Sequence, residues 1–274
     1  MKISPALARF GDTVLMPVFL VGIYAAFVLT SGAQGAARVL SLAFLIFVLL
    51  MWFGFRRLKT HAQASRLAGV GDPDGLLALV GRELPKCLTE AGRRPLRLQA
   101  AVAHNLRGDF TAARREIDAS GLLTPRGRRG RGWIALAAAT DVTTRSEQGD
   151  LAGARASLAM LAPFTAIAPF GGMELVAREC EARVKLLEGD PAAARELLAP
   201  LVKNIRLSDA TRAQVHALLA RAAADLGEAD VAADHATKAR ALAPHCRLVP
   251  DTLGPPPAEL PVAVATSKPA APPT

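Results

Sequence analysis

Few residues in this chain have the types and spacing for covalent chemistry. Gly69-Val70-Gly71 followed by Gly75 has the small residues of a phosphate-cradling loop, but the spacing is wrong and no strand-like run precedes it. Asp72-Pro73-Asp74-Gly75 is a fragment of a calcium loop without the remaining ligands. The histidines, His61, His104, His216, His235 and His245, show no metal spacing. Cys87, Cys180 and Cys246 are odd in number and widely spaced, which fits neither a disulfide framework nor a CxxC site. GxSxG, HExxH and a Walker lysine are all lacking. The expectation is a protein that is not an enzyme and that uses no metal, cofactor or small-molecule substrate.

Recognition chemistry is better represented. Arg126, Arg128, Arg129 and Arg131 alternate with glycines between Pro125 and Gly132. Glycine at that density disfavours helix, so an exposed flexible strip is expected. Such a strip can contact anionic headgroups, at about 1 kcal/mol per basic residue near the surface, or RNA phosphates. The net charge of +9 permits either. No aromatic platform interleaves the arginines, which makes lipid the better partner and nucleic acid the weaker one.

The elements that must position these groups are marked by a repeat. Gly-Asp or Gly-Glu occurs at Gly71-Asp72, Gly108-Asp109, Gly149-Asp150, Gly189-Asp190 and Gly227-Glu228, at intervals of 37, 41, 40 and 38 residues. A fixed period of this length is the signature of a repeat architecture. Each glycine is expected to turn the chain between two helices. The acidic residue after it is expected to cap the second helix and complement its dipole. Five residues past each glycine stand Leu76, Ala113, Ala154, Ala194 and Ala232; four further on come Val80, Ile117, Leu158, Leu198 and Ala236. That i, i+4 spacing builds one apolar face. Ala101, Ala182 and Ala220 stand seven residues before their glycines. Before Gly149 the apolar positions hold Thr144, Arg145 and Gln148, so that helix is expected to shift by a turn and bury Trp133 to Ala139 instead. Pro85 should kink or end its helix early, and Pro125 and Pro244 fall where second helices should stop.

With its small residue in the first helix, turn, alanines in the second helix and closing proline, the stretch from about residue 57 to 245 resembles the tetratricopeptide (TPR) family. The resemblance implies antiparallel helix pairs whose first helices line a concave face that binds protein or peptide partners. It puts Val102 and Asn105, Thr143 and Ser146, Arg183 and Leu186, and Arg221 and Ala224 on that face. Asn105, Arg183 and Arg221 are then the candidate partner-binding residues, the two arginines one repeat apart clamping a carboxylate or acidic peptide.

Ahead of the repeats lie two charge-free apolar runs, with spans expected at about residues 13–31 and 38–55. A crossing helix needs about 20 apolar residues. Lys2 and Arg9 precede the first run, Arg38 alone separates them, and Arg56, Arg57, Lys59 and Arg66 follow the second. The positive-inside rule puts both termini in the cytoplasm of a bacterial inner membrane. The first mark follows so closely that the second span should run on into the first repeat helix. Residues 250–274 hold eight prolines and read as a disordered Pro/Ala-rich tail.

The fold class expected is therefore all-α: a transmembrane helical hairpin (1–56), a TPR-like α-solenoid of about four to five helix pairs (57–246), and a tail (247–274). The function expected is a membrane-anchored adaptor or scaffold for protein partners, with RNA or anionic-lipid binding through Arg126–Arg131 as the alternative. Two spans ahead of TPR repeats is also a layout similar to the HemY family of haem-pathway membrane proteins.

Overall fold

A computed structural model describes residues 21, 22, 24, 36–124, 131–165, 172–205 and 207–246. The described residues are helical, with no strand among them. The chain divides into two units, Met1–Gln63 and Ala64–Thr274.

In the first unit the run at 13–31 lies almost wholly outside the described residues. Helix α1, Ala36–Gly69, is 34 residues long and is one continuous helix, as the closeness of the first mark to the second apolar run leads one to expect. Among the described residues no helix is long and apolar enough to cross a membrane. The side chains that are described are largely uncovered: Leu42, Phe44, Ile46, Phe47, Met51 and Phe55 are exposed. Leu45, Val48, Leu49 and Trp52 are half-buried. At about 100° per residue the exposed set spreads over more than half of the helix circumference.

The second unit begins with the end of α1 and continues through α2 (Pro73–Glu83), α3 (Glu90–Leu106), α4 (Phe110–Ser120), α5 (Arg131–Glu147), α6 (Leu151–Thr165), α7 (Met173–Leu187), α8 (Pro191–Val202), α9 (Asp209–Asp225) and α10 (Ala229–Leu242). The odd-numbered helices precede a marked glycine and are called A helices; the even-numbered ones are B helices. Pro85 falls in a short 3₁₀ turn, Leu84–Lys86, that ends α2 early. Helix α5 starts at Arg131, so the glycine-rich strip is shorter than its composition implies. Arg126, Arg128 and Arg129 lie outside the described residues, as does the side chain of Arg131.

All five marks form the same turn. Gly71, Gly108, Gly149, Gly189 and Gly227 have φ of 71, 75, 74, 77 and 79°. In each, the glycine N–H donates to the carbonyl three residues back and the next N–H to the carbonyl five back, as in Gly108 to Asn105 and Asp109 to His104. This is a Schellman ending, which needs left-handed backbone at the glycine. The aspartates then cap the B helices: Asp72, Asp109, Asp150 and Asp190 accept from the N–H groups of Gly75, Ala112, Gly153 and Ala193 at 2.9–3.1 Å. Glu228 occupies the same position without a side-chain cap bond.

The apolar row predicted behind each mark is the core. Leu76, Ala113, Ala154 and Ala194 are fully buried, and Ala232 nearly so. Val80, Ile117, Leu198 and Ala236 are buried one turn on, while Leu158 is half-buried beside a buried Ser157. Ahead of Gly149 the expectation holds in part: Ala135, Ala137, Ala138 and Ala139 are buried and Trp133 is half-buried, but the helix does not shift. Val142, seven residues ahead of that glycine, is fully buried, and so is Thr144. The polar residues hold their register because they find partners: Thr144 Oγ1 donates to the Thr140 carbonyl at 2.9 Å and lies 3.0 Å from Asn105 Oδ1.

The second unit also closes on itself. Leu106, Ala213, Ala243 and Cys246 form one buried cluster, joined by Val102, Phe110 and Leu242. A Cβ placed on Gly71 would lie 3.2 Å from Ala243 Cβ and 3.6 Å from Ala210 Cβ. The first turn of the array therefore packs on its last helix pair. Ala243 and Cys246, which follow α10 and would stand at an open end of a linear array, are buried by the chain itself.

This contact sets an expected difference between chemically identical changes. Gly189→Ala meets nothing within 4 Å and suffers only the left-handed backbone, about 1–2 kcal/mol. Gly71→Ala suffers the same strain and also pushes Ala243 away. Urea denaturation should therefore show a larger loss for Gly71→Ala than for Gly189→Ala; equal losses would mean that the closure contact contributes nothing.

Candidate functional site

Four A helices meet around one cavity. Its volume is about 150 Å³, and it is lined by Val102 and Asn105 of α3, Thr140 and Thr143 of α5, Val176 and Glu179 of α7, and Thr211 and Gln214 of α9, with Leu106, Leu136, Ala139 and Cys180 completing the wall. On each helix the lining residues recur three or four positions apart, the spacing that holds side chains on one face. Asn105, Thr140, Glu179 and Cys180 are buried, whereas Val102, Thr143, Val176, Thr211 and Gln214 are half-buried. The first set forms the floor and the second the rim.

The floor is held by bonds between helices. Asn105 Nδ2 donates to the Thr140 carbonyl at 3.2 Å, tying α3 to α5. Cys180 Sγ lies 3.8 Å from the Ala139 carbonyl, and burial pushes its thiol pKa up, so it stands as a protonated wall group. Glu179 takes Arg183 Nε and Nη2 on one oxygen, at 3.2 and 3.0 Å. Arg183 Nη1 reaches Glu147 of α5 at 2.8 Å, and its Nη2 reaches Gln214 of α9 at 3.2 Å. Burial alone would lower the guanidinium pKa; the Glu179 and Glu147 charges outweigh it and raise it.

These contacts place the three partner-binding candidates differently. Asn105 lines the cavity but spends its amide on α5. Arg183 is 3% exposed and satisfied within the chain. Arg221 is exposed. A clamp made of both arginines thus has only one of them at the surface. Of the other positions assigned to the concave face, Val102 and Thr143 do line the cavity, while Leu186 belongs to the core between α7, α8 and α9. Ser146 is buried with its hydroxyl unpartnered, and Ala224 is exposed. Sequence reading missed Glu179, Thr211 and Gln214. The Glu179–Arg183 pair was visible as an i, i+4 spacing, but nothing local marks Gln214, which reaches Arg183 across 31 residues of chain.

A second polar centre binds α4, α5 and α6. Asp141, 1% exposed, pairs with Arg114 and Arg145 and accepts from Ser157 Oγ. Arg145 continues to Asp150, whose carboxyl pKa is lowered by the Gly153 N–H and by that guanidinium.

Two histidines 19 residues apart also meet. His216 Nδ1 of α9 and His235 Nδ1 of α10 lie 2.9 Å apart, so one ring nitrogen must carry a proton and the other a lone pair. Burial lowers both pKa values. His235 and Lys238 lower that of His216 further, against Asp234. Both folded-state values lie below the ordinary 6.5, so the folded chain binds these protons less readily than the unfolded one. The stability contributed by the pair is full above about pH 6.5 and is lost as the pH falls below it. Melting temperatures measured from about pH 7.5 to 5.5 should drop more steeply for the natural chain than for His235→Gln; parallel profiles would exclude the pair as the cause.

No family model, curated protein or solved structure matches the chain.

Proposed function

We propose that this chain is a membrane-anchored adaptor: a two-helix hairpin tethers a TPR-like helical array to the cytoplasmic face of a bacterial inner membrane, and the inner face of the A helices binds a protein or peptide partner. The observation that carries the reading is the cavity, to which α3, α5, α7 and α9 all contribute. Apolar wall with a few convergent polar groups is the composition of binding sites in general, and repeat arrays act through such inner faces.

The anchor is supported by the exposed apolar side chains of α1, a helix surface that water disfavours and lipid accepts. Arg56 lies 5.6 Å from the centre of the Trp52 ring at the end of that run, an aromatic–basic pairing suited to the headgroup level.

Two experiments test the two halves. Membranes washed with alkaline carbonate should retain the chain; release into the supernatant would remove the anchor. A photo-crosslinking residue at Thr143 or Thr211, on the cavity rim, should trap a discrete partner, whereas the exposed Ala156 should not. Equal trapping at all three positions would remove the inner face as the binding surface.

A further inference from the structure

Of the residues that line the cavity only Glu179 carries a charge. Glu179 and Glu147 set two carboxylates against the single guanidinium of Arg183. Glu179 is 6% exposed and lines the cavity. Both of its bonds to Arg183 fall on Oε1. Among the described residues no hydrogen bond reaches its Oε2. Oε2 is therefore open to the cavity, and a cationic N–H donor there gains a charge-assisted hydrogen bond. Gln214, on the rim, accepts from Arg183 through its Oε1 and so holds the guanidinium beside Glu179. Val102, Leu136 and Val176 make the facing wall apolar.

We infer that the cavity binds an organic ammonium ion, a cationic N–H donor on a small apolar body. The N–H⁺ group bonds Glu179 Oε2 and neutralises the excess negative charge, and the body covers the apolar wall. A volume of about 150 Å³ takes a body about the size of a benzene ring. An anionic ligand of the same shape is excluded, because it would bring a third carboxylate to the same guanidinium. Two sources supply this chemistry: a free amine, or a lysine side chain presented by a protein. The first is independent of the adaptor reading; the second rests on it and says what its partner carries.

Calorimetric titration of the full chain with cyclohexylammonium, cyclohexanol and cyclohexanecarboxylate tests the inference. The amine is expected to bind saturably and about tenfold or more tighter than the alcohol, with no binding of the carboxylate. Glu179→Gln keeps the shape, removes the charge and should abolish the preference for the amine. Should that variant fail to fold, Thr143→Leu decides. The Thr143 hydroxyl donates to the Ala139 carbonyl of its own helix, so leucine narrows the rim without touching the charges. It should weaken amine binding about tenfold. Equal affinity for amine and alcohol, or undiminished amine binding in Thr143→Leu, overturns the inference. A short peptide with one lysine, set beside its norleucine counterpart, separates the sources. Competition by the lysine peptide alone assigns the site to a protein partner. Amine binding without such competition assigns it to a free amine and ends only the adaptor extension.

Discussion

Arg183→Ala is expected to destabilise the second unit by about 3–5 kcal/mol, the loss typical when one partner of a buried charge pair is removed. Its guanidinium is 3% exposed and joins Glu179 on its own helix, Glu147 on α5 and Gln214 on α9. Alanine leaves Glu179, 6% exposed, with no cation, and it unties three A helices at once. Arg183→Lys keeps the charge but not the planar fork that reaches three partners, so it should fall between alanine and the natural residue. Arg221 is exposed, and Arg221→Ala should change stability by no more than about 0.5 kcal/mol. Urea unfolding followed by circular dichroism measures all three. Equal effects of Arg183→Ala and Arg221→Ala would refute the buried junction. The result also bears on binding assays: a loss of partner capture in Arg183→Ala reports unfolding unless helicity is measured on the same sample.

Asp141→Ala is expected to cost about 2–3 kcal/mol, less than the loss of Arg183. The reason is what each change leaves behind. Removing Asp141 strands Arg114 and Arg145, whose side chains are 30% and 23% exposed and can turn to water. Arg145 also retains Asp150. The buried Ser157 hydroxyl loses its acceptor and cannot reach water as readily. Asp141→Asn keeps the shape and one acceptor oxygen and should recover part of the loss. A thermal melt in which Asp141→Asn falls as far as Asp141→Ala would show that charge, and not shape, holds α4, α5 and α6 together.

Local features were legible because their bonds are local. A glycine at a helix end, an acidic residue after it and an alanine five positions on are read within a few residues. The Schellman bonds span three and five residues, and the aspartate caps span three. Gly149 shows where such reading stops. Thr144 and Arg145 broke the apolar pattern, which argued for a shifted helix. The helix keeps its register because the Thr140 carbonyl takes the Thr144 hydroxyl and Asp141 pairs with Arg145, each one turn back. A threonine bonded to the preceding turn can fill an apolar slot, and the hydropathy pattern carries no mark of that bond.

The candidate site divides in the same way. The inner face of the A helices was read from the repeat, and Val102, Asn105 and Thr143 line the cavity there. The role of Arg183 was legible only in part: Glu179 stands one turn before it, but nothing local marks Glu147, 36 residues earlier. His216 and His235 carried no metal spacing and no periodic signal, yet they meet because α9 and α10 pack together.

The sequence by itself determined the helices, their five turns and the apolar row behind each turn, since backbone conformation at glycine and capping at aspartate are decided within one helical turn. Only the tertiary structure decided that the array closes, with Gly71 against Ala243 and Leu106 clustered with Ala213. It alone decided that four A helices meet around a cavity lined by the Glu179 carboxylate. Closure is the sum of small rotations between successive helix pairs, and no single residue encodes it.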